Sequence, residues 1–200
     1  MKKTILSNPW IYHNFVHLVT RRRRVIKEIL SQEVTASGKE RVLDLACGTG
    51  DFSPLFVVGS YVGVDLHEGY LRFARRNFGK TFAVMDSRCM GFKDDVFHGS
   101  ICVGFFHHLT DQKTRLVLEE LRRTLKNGGW GVIVELIHPI SKYNLLGKLV
   151  EKLDQGNFTR YPEQYCSLFS EYFSVEKMYQ RQSWPWDVGV FRLRCQKPLK

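Results

Sequence analysis

Between residues 41 and 136 the sequence alternates short runs that are apolar throughout with stretches of helical periodicity. The runs are RVLDLA at 41–46, YVGV at 61–64, TFAVM at 81–85, SICVGF at 100–105 and WGVIVEL at 130–136. A strand that is apolar on both faces needs cover on both faces, and strands separated by helices are joined by crossovers, not hairpins. The pattern predicts an α/β fold: a doubly wound, mostly parallel sheet with helices on either side. Helices are expected just after Asp51, at Glu68–Asn77 and at 111–125, and Asn127-Gly128-Gly129 reads as a tight turn before the fifth strand. Upstream, Asn8 as cap and Pro9 at the first helical position start a helix that runs to about Val34. Downstream of Pro139 the alternation loosens. There 141–153 and 162–172 read as helices, while 173–180 and 188–196 pair antiparallel across a Trp184-Pro185-Trp186 loop and complete a seven-stranded sheet.

The first run leads into the most informative stretch, Val42-Leu43-Asp44-Leu45-Ala46-Cys47-Gly48-Thr49-Gly50-Asp51. A buried strand that passes straight into a Gly-rich turn lets a ligand approach the backbone closely, and ligands of open parallel sheets lie beyond the carboxyl ends of the strands. Acids recur at those ends: Asp44 on the first strand, Asp65 closing the second 21 residues later, and Asp86 after the third, another 21 on. A carboxylate has two oxygens with which to accept both hydroxyls of a ribose, and an acid or backbone group at the next strand can read an adenine amine. A dinucleotide is disfavoured twice. Gly48-Thr49-Gly50 is followed by Asp51-Phe52-Ser53, so the third glycine of G-x-G-x-x-G is missing, and Asp51 sets a negative charge where a pyrophosphate would sit. An adenosine without phosphate fits, as in S-adenosylmethionine.

In order and spacing, these motifs resemble those of the class I S-adenosylmethionine-dependent methyltransferases. The stretch from Asp44 to Gly50 looks like their first motif, with Ala46 in place of its first glycine. Gly63-Val64-Asp65-Leu66 looks like their ribose motif, Met85-Asp86-Ser87 their adenine motif, Phe105-Phe106-His107-His108-Leu109 the segment beside the methyl group, and the stretch from Leu125 to Glu135 their fifth-strand motif. The resemblance covers about 40–137 and is greatest to small-molecule enzymes of the ubiquinone/menaquinone-biosynthesis type. It implies a Rossmann-like fold, S-adenosylmethionine as cofactor and S-adenosylhomocysteine as product. It also implies roles: Ala46, Cys47, Gly48, Thr49 and Gly50 against the methionine half, and Asp44 ordering that loop. Asp65 would hold the ribose, Leu66 would pack on the adenine, and Asp86 would take the adenine amine with a backbone contact from Ser87. Gly104 and Phe105 would lie beneath the sulfonium. The expected organisation is one domain, with a helical cap over 1–38, the cofactor-binding core over 39–139, and acceptor-side helices with the last two strands over 140–200.

Methyl transfer is an in-line displacement that needs alignment and dryness more than acid–base help, and a base only where the acceptor must lose a proton. His107 and His108 stand where the acceptor would lie, and His108 is the stronger candidate base. Trp10, Tyr12 and Phe15 are candidates for a lid, and His138 and Tyr143 for the acceptor wall. His13 and His17 are one helical turn apart with no third ligand, so no metal site is expected. The fourth strand ends Gly104-Phe105-Phe106-His107, not Asn/Asp-Pro-Pro-Tyr/Phe, which disfavours methylation of amide or exocyclic base nitrogens.

The net charge of +10 is concentrated at the ends: seven Lys/Arg against two Glu in 1–38, and five against one Asp in 181–200. Basic ends suit phospholipid or nucleic acid. The run Arg21–Arg24 cannot lie on one helix face, so at least one arginine points sideways or toward the core, or the run marks a break between two helices; it reads either as a solvated junction or as a contact with a carboxylate or an anionic head group. Three readings stand: a small, lipophilic acceptor with the basic N-terminal helix on an anionic membrane surface; an RNA or protein acceptor held by the basic ends; or a non-catalytic cofactor-binding partner subunit. Five widely spaced cysteines without a CxxC pair predict reduced thiols and a cytoplasmic protein, and no apolar run reaches the length of a membrane span.

Overall fold

The computed structural model describes residues 22–34, 38–57, 59–141, 144, 157–183 and 186–198. Its strands are β1 (Val42–Leu45), β2 (Tyr61–Asp65), β3 (Thr81–Val84), β4 (Phe97–Val103), β5 (Leu125–Ile137), β6 (Ser174–Ser183) and β7 (Trp186–Arg194). The helices are α1 (Arg22–Glu33), α2 (Glu68–Asn77), α3 (Asp111–Thr124) and α4 (Pro162–Ser170). One seven-stranded sheet runs in the order β3-β2-β1-β4-β5-β7-β6. The first five strands are parallel, and β7 is antiparallel to both its neighbours. The direction of winding reverses between β1 and β4, which opens a crevice at the carboxyl ends of those two strands.

Period-two alternation explains the two faces. Leu43 and Leu45 of β1 join a core with Val117, Leu118 and Leu121 of α3 and Phe169 of α4. Val42, one residue out of phase, joins Ile26, Ile29 and Leu30 of α1 and Leu71 and Ala74 of α2 on the other face. Both faces of the central strands are thus covered, as apolar runs without alternation require. Glu33, at the end of α1, accepts from Lys177 Nζ at 2.6 Å and Tyr179 Oη at 2.9 Å, tying the helix to β6. Burial opposes its ionisation, but these bonds and the neighbouring cations hold its carboxyl below the usual value.

Three expectations change in detail. The fifth strand starts at Leu125 and absorbs Asn127-Gly128-Gly129 as an irregularity, marked by a register shift between Phe97 and Gly99 on β4. Gly128 takes φ +76° there, its N–H donates to Cys195 O, and Cys195 N–H donates to Gly129 O, so the segment is held by the chain leaving β7. Strand β4 starts at Phe97, and the helix after Asp51 is a single 3-10 turn, Ser53–Leu55. Residues 8–21, Tyr143 and Trp184-Pro185 lie outside the described residues, as does 141–153 apart from 141 and 144. Of the Arg21–Arg24 run, Arg23 turns to Asp51 (3.4 Å) and Arg24 pairs with Glu28 along the helix (3.0 Å). Arg21 and the side chain of Arg22 lie outside the described residues. All five cysteines are free thiols, and among the described residues no helix is long and apolar enough to cross a membrane.

Candidate active site

Strand β1 ends in a turn built on left-handed backbone: φ is +56° at Ala46, +53° at Gly48 and +76° at Gly50. Cys47 N–H donates to Val64 O (2.9 Å) and Gly50 N–H to Cys47 O (2.9 Å), so the turn curls over the tip of β2. Gly50 and Gly48 need glycine for different reasons. A Cβ at Gly50 would stand 2.8 Å from the Phe82 ring, whereas one at Gly48 would meet no atom within 4 Å. The backbone at Gly48 therefore faces open space.

Asp65, closing β2, spreads its two oxygens over this turn. Gly48 N–H donates to Oδ2 at 2.9 Å and His67 N–H to Oδ1 at 2.7 Å, and each oxygen keeps a further lone pair. Leu66 next to it is 64% exposed, an apolar side chain held at the strand tip with its surface uncovered. Thr49 is buried, and its hydroxyl donates to Asp51 Oδ2 at 3.2 Å. The open glycine backbone, the carboxylate beside it and the bare leucine suit an adenosyl ligand carrying no phosphate. Asp65 would hold its ribose, Leu66 its base, and 46–50 its amino-acid end.

Asp44 lies beneath the turn, 1% exposed, and accepts the Tyr61 hydroxyl at 2.6 Å. Burial pushes its carboxyl up to about 7; the Tyr61 bond opposes the shift, and the Asp65 and Asp51 carboxylates add to it. Burial likewise pushes the Cys47 and Cys102 thiols up, so both behave as small core residues and not as nucleophiles. Asp86 is placed differently from Asp65. Both its oxygens accept from Arg88, through the side chain at 2.5–3.1 Å and the backbone N–H at 2.9 Å, and the pair holds its carboxyl down at about 2. An adenine amine at Asp86 would compete with Arg88 for those lone pairs. Ser87 follows in the same turn, half-buried.

After β4, Gly104 takes φ +65° and the chain enters a 3-10 turn, Phe106–His108. Here the structure adds two residues to which the sequence reading assigned no role. Glu135 of β5 is fully buried; its Oε1 accepts from Phe105 N–H (2.7 Å) and Phe106 N–H (2.8 Å), and its Oε2 from His107 Nδ1 (2.8 Å). Burial disfavours the anion, yet these donors outweigh it and keep the carboxyl below its ordinary value. Arg160, also buried, donates to Phe106 O (3.1 Å), Leu109 O (2.7 Å), Phe158 O (2.9 Å) and Asp111 Oδ1 (2.7 Å). The signal for Glu135 was present as a single charge in the run WGVIVELI; Arg160 had none. The two candidate bases part company: His107 is 2% exposed, and His108 is exposed with its ring centroid 4.0 Å from that of His107. Beyond β5, His138 contacts the Tyr161 ring (4.5 Å), and Ile140, Phe158 and Tyr161 keep large exposed apolar surfaces.

A sequence model described as a methyltransferase domain matches residues 42–129. Demethylmenaquinone methyltransferase of Thermotoga maritima is 38% identical over 127 residues, covering 60% of this chain and 52% of that protein. The tRNA (carboxymethyluridine(34)-5-O)-methyltransferase of Arabidopsis thaliana is 26% identical over 141 residues, 65% of this chain and 34% of that protein. The chain spans about half the length of the demethylmenaquinone methyltransferases it matches. Among solved structures, the PH0226 protein from Pyrococcus horikoshii superposes with a TM-score of 0.68 at 25% identity, over 88% of this chain and 92% of that one. The strand order, the cradle at the tips of β1 and β2 and these likenesses agree: residues 42–129 match a methyltransferase domain, and the chain is similar to S-adenosylmethionine-dependent methyltransferases in sequence and fold.

Proposed function

We propose that the chain transfers the methyl group of S-adenosylmethionine to a small, apolar acceptor, a ring of the quinol kind in keeping with the relatives named demethylmenaquinone methyltransferase. The observation that carries this reading is the company His108 keeps. Phe158 N–H donates to His107 O (3.0 Å), and Arg160 forms an isolated bridge with Ile137, so the segment bearing Phe158 and Tyr161 runs along the ends of β4 and β5. Exposed apolar side chains on a segment bonded to the turn that carries an exposed imidazole suit a flat apolar molecule with an ionisable hydroxyl. When bound, the cofactor supplies a methyl group already activated by the sulfonium. The chain's own residues do the rest: Asp65 and the 46–50 turn fix the adenosyl end, Phe105 and the apolar wall keep water out, and His108 takes the proton that the acceptor gives up.

An RNA acceptor would need bare cations, and the described part of the basic C-terminal end offers few. Arg192 and Arg194 pair with Glu176, and Lys197 pairs with Asp95. The basic N-terminal end of the sequence suits an anionic lipid surface, where an apolar acceptor dissolves. The test is transfer of labelled methyl from S-adenosylmethionine into a cell extract, fractionated into lipid, RNA, protein and polar metabolites. Label in the lipid fraction supports the reading, and label confined to RNA or protein overturns it. Calorimetry with S-adenosylhomocysteine tests the cofactor independently.

A further inference from the structure

The turn between β4 and α3 is bracketed by opposite charges from two distant parts of the chain. Its N–H groups at Phe105 and Phe106 point at the Glu135 carboxylate, and its C=O groups at Phe106 and Leu109 point at the Arg160 guanidinium. Each charge thus meets the end of the peptide dipole that stabilises it. Neither group is needed to fill space, because an apolar side chain at either buried position would avoid the cost of taking a charge out of water. The carboxylate also does something a backbone clamp does not require. Its Oε2 lies 2.8 Å from His107 Nδ1. An ionised carboxylate only accepts, so Nδ1 carries a proton, and in its neutral form His107 is held as that tautomer. The His107 ring in turn lies against the His108 ring, centroids 4.0 Å apart and planes 41° from parallel.

We propose that Glu135 is a positioning residue for methyl transfer: through the fixed imidazole of His107 it sets the orientation of the His108 imidazole, while Arg160 holds the same turn from its carbonyl side. The inference rests on the reading of this cleft as a methyl-transfer site. Phe105, expected beneath the sulfonium, and His108, on the acceptor side, belong to one turn, so the bracket sets the distance between the two halves of the reaction. Misplacing a reacting group by about 1 Å costs on the order of a hundredfold in rate. Among the described residues, His107 lies against His108, and Glu135, Arg160 and Arg160's partner Asp111 are joined to the same turn.

Two variants test this in uniformly nitrogen-15-labelled protein with S-adenosylhomocysteine present. Glu135→Gln can keep an oxygen on the backbone N–H groups but turns an amide donor toward His107 Nδ1. The expected result is a change of the His107 tautomer in the imidazole nitrogen spectrum and a lower titration midpoint for His108, as an anion is removed. His107→Asn keeps an N–H for Glu135 but deletes the ring against which His108 lies, which guards against a Glu135 variant that fails to fold. Binding of S-adenosylhomocysteine should stay within twofold in His107→Asn, while the initial rate of labelled methyl transfer into the lipid extract falls at least tenfold. An unchanged His107 tautomer in folded Glu135→Gln overturns the proposal, and so does a transfer rate within twofold of wild type in His107→Asn. If wild type transfers no label to lipid, the proposed function fails, and the tautomer and His108 titration still decide the bracket.

Discussion

Replacing Asp44 by asparagine isolates the most costly charge in the cradle. The folded chain holds this carboxyl at about 7 against an ordinary 3.8, burial being the main cause. A raised acid pKa means that between pH 3.8 and 7 the folded state binds more protons than the unfolded one, so stability falls as pH rises. The penalty is absent below the unfolded value and complete above the folded one. At about 1.4 kcal/mol per pH unit it amounts to about 1.7 kcal/mol at pH 5 and about 4 kcal/mol at pH 8. Asp44→Asn keeps the shape and an oxygen for the Tyr61 hydroxyl, but cannot ionise. Urea unfolding followed by circular dichroism at pH 5 and pH 8, on both proteins, gives a difference of differences in which titrations not coupled to Asp44 cancel. The stability of Asp44→Asn relative to wild type should rise by about 2.5 kcal/mol between the two pH values. Asp86, held at about 2 by Arg88, stays ionised throughout this window and adds nothing to the slope. A stability gap that is the same at pH 5 and pH 8, within about 0.5 kcal/mol, refutes the reasoning, because Asp44 would then not change protonation on unfolding in that range.

Further outcomes follow from the same geometry. Gly63→Ala puts a Cβ 2.8 Å from Cys47 Sγ and 2.8 Å from the Phe82 ring, so thermal denaturation should show a loss of about 1–3 kcal/mol by overpacking. Asp65→Ala removes the acceptor for Gly48 and His67 N–H and the expected partner of the ribose; calorimetry should find S-adenosylhomocysteine binding at least tenfold weaker. Leu66→Gln alters a side chain that is 64% exposed, so unfolding should move by less than about 0.5 kcal/mol while ligand affinity drops several-fold; equal affinity would remove Leu66 from the adenine contact. The Arg115–Glu171 pair is bidentate but exposed, and Arg115→Ala should leave thermal stability and methyl transfer unchanged within error.

How far the sequence carried depended on how local each cause was. Strand β1 and its turn were legible because both the apolar run and the glycines that permit positive φ lie within ten consecutive residues. Asp65 was legible because strand and crossover lengths fix its distance in sequence from Asp44. The start of β5 was not. Gly128-Gly129 reads locally as a turn, and what holds it beside the sheet is a pair of hydrogen bonds to Cys195, at the far end of the chain. Asp86 shows a middle case. Its position at the tip of β3 was readable, but its engagement by Arg88, two residues on, is one of several local choices open to an exposed carboxylate, and periodicity does not select among them.

The bracket around the β4–α3 turn marks the boundary between what a pattern hides and what a cost reveals. Strand β5 is apolar on both faces between Trp130 and Ile137 except at Glu135, so neither face offers that carboxylate water. A buried carboxylate survives only where several donors converge, and inside a parallel sheet the unclaimed N–H groups are those of the loops leaving the strand ends. One residue in an apolar run therefore already requires a turn folded back onto the sheet, and β4, next to β5 with Gly104 at its exit, is the strand able to supply it. The cation on the carbonyl side admits no such deduction: Arg160 follows a stretch without a regular pattern, and its partners are defined only once that turn exists.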